Sequence, residues 1–150
     1  MDEGVRHRWL RAVHARVASA GLRAGSARIG VIELLAREGQ CLIDARTIVD
    51  RLRAEGGSGS QASVYRILDE LCALGLVRRE ADPHGVARYE IVEAGSRHHH
   101  FHDVRTGDVE PFVDPELDAV IVSVAGRLGV ELQAHEVRLH GTRRPGEAAL

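Results

Sequence analysis

Residues 63–92, SVYRILDELCALGLVRREADPHGVARYEIV, contain the pattern that specifies the fold of the first part of the chain. Its first half has apolar residues at helical spacing, which predicts a helix over residues 61–73 that ends at Gly75. Its second half predicts two strands, residues 76–80 and 87–92, joined by a turn at residues 82–85. A helix followed directly by a hairpin therefore closes this part of the chain.

Upstream of this stretch, the apolar spacing predicts three more helices. The first covers residues 6–20, the second begins with Ser26 as its cap and carries Ile29 on its apolar stripe, and the third is capped by Asp44. Short helices followed by a hairpin are typical of a winged helix-turn-helix, in which the last helix lies in the DNA major groove. The residues predicted to contact DNA are Arg28, Gln61, Ser63, Tyr65 and Arg66. The alternative is that these polar residues form an ordinary solvated helix face.

Downstream, the pattern changes to a small β-β-α-β unit. A strand is predicted over residues 98–104, a hairpin within residues 103–112, a helix capped by Asp114, and a strand over residues 130–140. The helix has an aliphatic stripe made of Leu117, Val120, Ile121, Val124 and Leu128. A unit of this size usually needs a partner, a metal or a dimer mate to be stable.

We therefore expect an α/β (α+β) protein with two domains. Residues 1–92 form a winged-helix DNA-binding domain, and residues 93–150 form a small α/β domain for dimerisation and metal binding. The formal net charge of the chain is −2, and its first 89 residues are cationic whereas the remainder is acidic. This asymmetry suggests different partners for the two parts.

Several classes of protein are disfavoured by composition. The two cysteines do not suggest a disulfide scaffold, so a reducing cytoplasm is the simpler expectation. No apolar run approaches the roughly 20 residues of a membrane span, and the N-terminal residues lack the apolar stretch of a secretory signal. There is also no HExxH pattern and no Gly-rich phosphate loop, which argues against an enzyme.

The sequence HHHFH at residues 98–102 is the most unusual feature of the chain. On a strand, His98, His100 and His102 would face one way, while His99 and Phe101 would face the other. Neighbouring imidazoles on one face can bind a divalent cation, and imidazole with carboxylate suits Fe(II), Mn(II), Zn(II) or Ni(II). The alternative is a solvated polar strand with accidental histidines.

Together, six segments resemble the ferric uptake regulator family, in the family's order, from about Leu22 to Gly141. They are residues 63–79, 88–90, 98–102, 107–112, 114–118 and 134–141. The family consists of bacterial, dimeric, metal-dependent transcription regulators that bind metal at the hinge between two domains and within the second domain. The resemblance implies a cytoplasmic homodimeric repressor that binds double-stranded operator DNA and is neither an enzyme nor a membrane protein.

The resemblance also implies two sets of metal ligands. The hinge set would be Glu90, His100 and His102, with Glu110 as a further acid that is shifted by one residue from the family's position. Cys41 stands where the family usually has His, and is either a replacement ligand or an inert, half-buried thiol. The second set would be His99, Asp118 and His135. Phe101 occupies one ligand position of that second set, so this site is weakened or absent.

Many relatives carry paired CxxC motifs for a structural zinc, which this chain lacks, so no structural zinc bound by four cysteines is expected. A hinge site with only N and O ligands favours Fe(II) or Mn(II), whereas a thiolate from Cys41 would move it toward Zn(II). Control of iron or manganese homeostasis is the favoured role, and a zinc-responsive or peroxide-sensing regulator of the same family is the alternative. A His-rich metalloenzyme or metal-binding module is the alternative of another class.

Overall fold

In the computed structural model, the described residues are 3–57, 59–82, 84–92, 98–133, 135–144 and 146. They fall into two compact units, one within residues 1–94 and one within residues 95–150. The domain boundary expected after residue 92 borders residues 93–97, which lie outside the described residues.

The first unit is a helical bundle followed by a small sheet. Its elements are α1 (Glu3–Ser19), α2 (Ser26–Glu38), β1 (Ile43–Asp44), α3 (Ala45–Ala54), α4 (Gln61–Ala73), β2 (Val77–Ala81) and β3 (Ala87–Ile91). The strand order is β1-β3-β2, and both pairings are antiparallel. The predicted helices and hairpin are present. The two-residue strand β1 is not predicted by the sequence, because a segment this short has no measurable alternation of apolar residues.

A single aliphatic core holds the first unit together. It includes Val13 of α1, Leu35 of α2, Ile48 of α3 and Leu68 of α4, each of them completely buried. The indole Nε1 of Trp9 donates a hydrogen bond to the carbonyl of Leu76, at 2.8 Å, and so joins α1 to the segment before the hairpin. The core therefore fixes α4 and the hairpin relative to the other helices.

Helix caps explain where α2, α3 and α4 begin. Asp44 caps α3 as predicted, since its carboxylate accepts a hydrogen bond from the Thr47 N–H at 2.8 Å. Ser60 caps α4 by accepting from the Ser63 N–H at 3.2 Å. The prediction that Ser26 caps α2 is wrong: Gly25 holds the cap position and Ser26 is already helical.

The predicted apolar stripe of α2 is also wrong at one position. Ile29 is 43% exposed, whereas Val31 and Leu34 are completely buried. The two faces of α2 differ too little in hydrophobicity for apolar spacing alone to show which residues turn inward.

The turn of the β2–β3 hairpin is organised by one side chain, that of Asp82. Its carboxylate accepts hydrogen bonds from the N–H groups of His84 (2.8 Å) and Val86 (2.9 Å), and from Arg88 Nε (3.0 Å). Burial opposes ionisation of Asp82, but these hydrogen bonds and the charge of Arg88 outweigh it and hold its pKa below the usual carboxyl value.

Replacing Asp82 with Ala is expected to lower the free energy of unfolding of the first unit by about 2 kcal/mol at pH 7, because charged hydrogen bonds are lost. Because the pKa of Asp82 is lowered in the folded state, its contribution is present above the ordinary carboxyl pKa and is lost as the pH falls through the folded value. Urea unfolding followed by Trp9 fluorescence checks this, since Trp9 is the single tryptophan. The control is Asp50→Ala on the exposed face of α3. A difference between wild type and Asp82→Ala that did not shrink in acid would contradict the assignment.

The second unit contains one sheet and one long helix. Its elements are β4 (His99–Asp103), β5 (Val109–Phe112), α5 (Pro115–Leu128) and β6 (Arg138–Gly141). The strand order is β5-β4-β6, with β4 antiparallel to β5 and parallel to β6. The predicted cap of α5 is confirmed, since Asp114 accepts hydrogen bonds from the N–H groups of Glu116 and Leu117, both at 3.0 Å.

The strand predicted over residues 130–140 is wrong over most of its length. Only residues 138–141 pair with β4, and the described residues between 130 and 137 are not in a strand. Apolar residues alternate at 130 and 132 and again, out of phase with the first pair, at 137 and 139, so no single alternation runs through the segment. A strand forms only where a neighbouring strand offers hydrogen bonds.

The aliphatic stripe of α5 is largely exposed within this single chain. Val120 is 59% exposed and Leu128 is 71% exposed, and Ala125 is the buried residue of α5 in the described part of the chain.

Among the described residues, no helix is both long enough and apolar enough to span a membrane.

Candidate metal centre and nucleic-acid interface

The two faces of β4 carry different sets of metal-binding side chains. Paired residues on neighbouring strands project to the same side of a sheet. His100 pairs with Arg138, and His102 pairs with His140, so these residues share one face. Phe101 pairs with Glu110, and His99 with Phe112, on the opposite face. The predicted alternation of side chains along β4 is therefore found in the structure.

On the first face, the imidazoles form a row that crosses from β4 to β6. The ring centroids of His98 and His100 are 4.8 Å apart, those of His100 and His102 are 6.4 Å apart, and those of His102 and His140 are 4.7 Å apart. His100 Nδ1 lies 2.8 Å from Glu136 Oε1, within hydrogen-bond distance. His102 therefore lies closer to His140, across the sheet, than to His100, on its own strand.

Sequence reasoning missed His140 and Glu136. Both lie in the segment 134–141 that carries part of the family resemblance, where the resemblance implies only His135 as a ligand. Side chains alternate along a β-strand, so a strand that contains His140 would place residues 136, 138 and 140 on one face. Whether these residues lie on the same face of the sheet as His100 and His102 depends on the register between β6 and β4, which the sequence alone does not give.

On the opposite face, His99, Asp118 and His135 converge. Their candidate ligand atoms all lie within 4.8 Å of one another. Asp118 Oδ1 is 2.6 Å from His135 Nε2 and 3.3 Å from His99 Nε2, and the His99 side chain is almost completely buried. The structure thus brings together the three residues predicted for the second metal site.

A backbone hydrogen bond restricts how His99 can serve this second site. His99 Nδ1 accepts from the N–H of Val137 at 3.1 Å, so a neutral ring carries its proton on Nε2, the nitrogen that faces Asp118. A neutral His99 that bound a metal through Nε2 would carry its proton on Nδ1 instead, and would therefore lose the hydrogen bond from the Val137 N–H. Phe101, which stands at the ligand position that the family resemblance implies, lies beneath the guanidinium of Arg143, whose central carbon is 5.4 Å from the ring centroid.

Glu110 lies away from His100 and His102. It is paired in register with Phe101, on the opposite face of the sheet, and its carboxylate forms an ion pair with Arg143. Since side chains on opposite faces cannot share one ion, the structure does not bring Glu110 together with the hinge histidines.

Glu90 and Cys41 belong to the first unit. Glu90 lies on β3, paired in register with Arg78 of β2, and its Oε1 accepts a hydrogen bond from Arg78 Nε at 2.9 Å. A metal ion bound at Glu90 therefore has to share this carboxylate with Arg78 or displace it. Cys41 is half-buried, two residues before β1.

Helix α4 separates its apolar and polar residues onto two faces. Val64, Ile67 and Leu68 are buried, whereas Gln61 and Arg66 are exposed and Tyr65 is 40% exposed. Ser63 is half-buried beside the cap residue Ser60. The polar face of α4 is therefore open for contact with a ligand.

Arg28, the remaining residue predicted to contact DNA, is engaged inside the first unit. It is buried, its guanidinium donates to the carbonyl of Arg23, and it forms an ion pair with Glu70 of α4. The geometry gives Arg28 a role in packing α2 against α4.

A comparison with known families decides the classification. The model of the ferric uptake regulator family matches residues 19–140, which is most of the chain. The chain belongs to the ferric uptake regulator family. Its two units, the first a winged helix and the second a small α/β unit, have the predicted fold class.

Individual relatives agree with this assignment to the ferric uptake regulator family. The ferric uptake regulation protein of Legionella pneumophila is 30% identical over 122 residues, covering 81% of this chain and 89% of that protein. The crystal structure of the Vibrio cholerae ferric uptake regulator matches with a TM-score of 0.74 and 26% identity, covering 87% of this chain and 98% of that one. The Pseudomonas aeruginosa regulator, solved with manganese, matches with a TM-score of 0.68 and 27% identity, covering 87% of this chain and 97% of that one.

Proposed function

We propose that this protein is a metal-responsive repressor that binds operator DNA as a homodimer in the cytoplasm. The observation that carries the proposal is the row of imidazoles on β4, in a chain that belongs to a family of transcription regulators. Residues 1–92 are assigned to DNA binding, and residues 93–150 to dimerisation and metal binding.

The regulatory metal is assigned to Glu90, His100 and His102, with Cys41 as a further candidate ligand. This assignment rests on the family resemblance and on the chemistry of the side chains, since carboxylate and imidazole together bind divalent transition metals. Glu110 is left out of the assignment because its side chain lies on the other face of the sheet. Fe(II) or Mn(II) is the favoured metal, and the manganese in the Pseudomonas aeruginosa relative supports this choice.

DNA contact is assigned to the polar face of α4, formed by Gln61, Ser63, Tyr65 and Arg66. Amide, hydroxyl and guanidinium groups are the usual donors to base edges and phosphates. They lie near the N-terminal end of α4, the part of a recognition helix that contacts the bases.

Dimerisation is assigned to the second unit. Exposed aliphatic side chains concentrate there, on α5 and on β6. A large exposed apolar surface of this kind marks a protein–protein interface. The partner we propose is a second copy of the chain, which supplies the second recognition helix that a two-fold symmetric operator requires.

The metal acts by shifting a conformational equilibrium. It increases DNA affinity only as far as it binds the DNA-competent conformation more tightly than the other conformations. Substitution of a ligand residue removes this difference in affinity. The variant therefore loses the response to metal, even if it still folds.

The second metal site is expected to contribute less than the regulatory one. His135→Ala and Asp118→Ala should each leave most of the metal-dependent increase in DNA affinity, because Phe101 already removes a ligand and the Val137 N–H engages His99. His102→Ala is the reference variant, and anisotropy of labelled DNA at fixed salt is the measurement. If His135→Ala lost the response as completely as His102→Ala, the second site would be the regulatory one.

A gel-shift assay tests the proposed function. The metal-free protein and the protein loaded with Fe(II), Mn(II) or Zn(II) are each mixed with a pool of duplex DNA that contains selected operators. The proposal predicts retarded complexes only with metal, and their loss when EDTA is added. Unchanged mobility with every metal would overturn the regulator assignment.

A further inference from the structure

We propose that His140, on β6, is a ligand of the metal ion bound by His102. This inference deepens the proposed function and rests on it, because it adds a residue to the regulatory site. The residue comes from the strand that pairs with β4, in register with His102.

The distance between the two rings carries the argument. Metal–nitrogen bonds of about 2.0–2.1 Å, at angles of about 90–110°, place the centroids of two bound imidazoles roughly 5 Å apart. The observed separation of the His102 and His140 centroids is 4.7 Å, and the two ring planes differ by 35°.

The backbone holds this pair in place. His102 and His140 face each other directly across the parallel β4–β6 ladder, so their side chains leave the same face of the sheet at adjacent positions. The His102 side chain is buried and His140 is exposed. One ring is therefore fixed by packing, while the other lies at the surface, where an ion can enter from solvent.

Two departures from the family's ligand pattern explain why an extra imidazole matters. Cys41 stands where the family usually has His, and Glu110, shifted by one residue from the family's position, lies on the opposite face of the sheet. His140 supplies one replacement ligand from within the second unit. Of the two favoured metals, an added imidazole suits Fe(II) better than Mn(II), since nitrogen ligands favour Fe(II).

The test uses the full-length protein and Co(II) as the probe. Each coordinated imidazole contributes one exchangeable, hyperfine-shifted N–H signal to the proton spectrum of the Co(II) form. The variant His140→Phe keeps a ring for packing against His102 but offers no nitrogen. The matched control is His14→Phe, on the exposed face of α1.

We expect His140→Phe to lose one shifted signal and to bind Co(II) at least tenfold more weakly, while His14→Phe behaves like the wild type. An unchanged number of shifted signals in His140→Phe would overturn the inference, whatever the affinity does. His102→Ala separates the two proposals. If it loses a signal while His140→Phe does not, only the inference fails; if neither loses one, the regulatory site itself is wrong.

Discussion

His102→Ala is expected to abolish metal-dependent DNA binding while leaving the protein folded. The substitution removes a ligand of the regulatory metal from the centre of β4, and no other described side chain can take its position across from His140. Loss of a direct ligand should weaken metal binding by more than the roughly 10–100-fold that loss of a supporting residue costs. The measurement is the dissociation constant for DNA with and without saturating Mn(II), together with circular dichroism to check the fold.

His102 is a cleaner target than His100 for this experiment. His100 is completely buried and lies 2.8 Å from Glu136, so His100→Ala would leave a cavity and a carboxylate without its imidazole. The matched control is His14→Ala on α1. If His102→Ala still responded fully to metal, the regulatory site assigned to β4 would be incorrect.

Tyr65 and Arg66 are expected to carry much of the DNA affinity. Tyr65→Ala should lose discrimination between operator and random duplex by roughly 1–3 kcal/mol, about a 5–150-fold change in the ratio of dissociation constants. Arg66→Ala should weaken binding to all sequences alike and reduce the salt slope by about one, if its contact is a phosphate. Both effects are measured by anisotropy over a range of salt concentrations with metal saturating.

The control for Arg66 is Arg11→Ala, which removes the same charge from an exposed position on α1. It corrects for the general loss of positive charge. Metal affinity should be unchanged in all three variants, because none of these side chains is a metal ligand. Intact operator affinity in both Tyr65→Ala and Arg66→Ala would exclude α4 as the element that reads the DNA.

The strongly patterned elements of this protein were predictable from the sequence. Helix α4 has apolar residues at every position that its buried face requires, and α5 has both an Asp cap and a Pro in its first turn. In each case local chemistry and tertiary packing select the same structure. The alternation of His99 and His100 to opposite faces of β4 followed for the same reason.

The parts that escaped prediction depend on contacts distant in sequence. The length of β6 is set by its pairing with β4, and the contact between His102 and His140 follows from the register of that pairing. The burial of Arg28 depends on Glu70, 42 residues away in sequence. No local pattern specifies a pair so far apart in sequence. The sequence alone therefore predicts that Arg28 contacts DNA. In the structure, its guanidinium faces an acid within the first unit.

The dissociation constant for an operator selected from random duplexes tests the proposed metal-dependent repressor function. It is measured at one salt concentration with metal-free protein and again with protein loaded with Fe(II) or Mn(II). A metal-responsive repressor is expected to bind a two-fold symmetric sequence at least tenfold more tightly with metal, and to be released by EDTA. Equal dissociation constants with and without every divalent metal tried would contradict it.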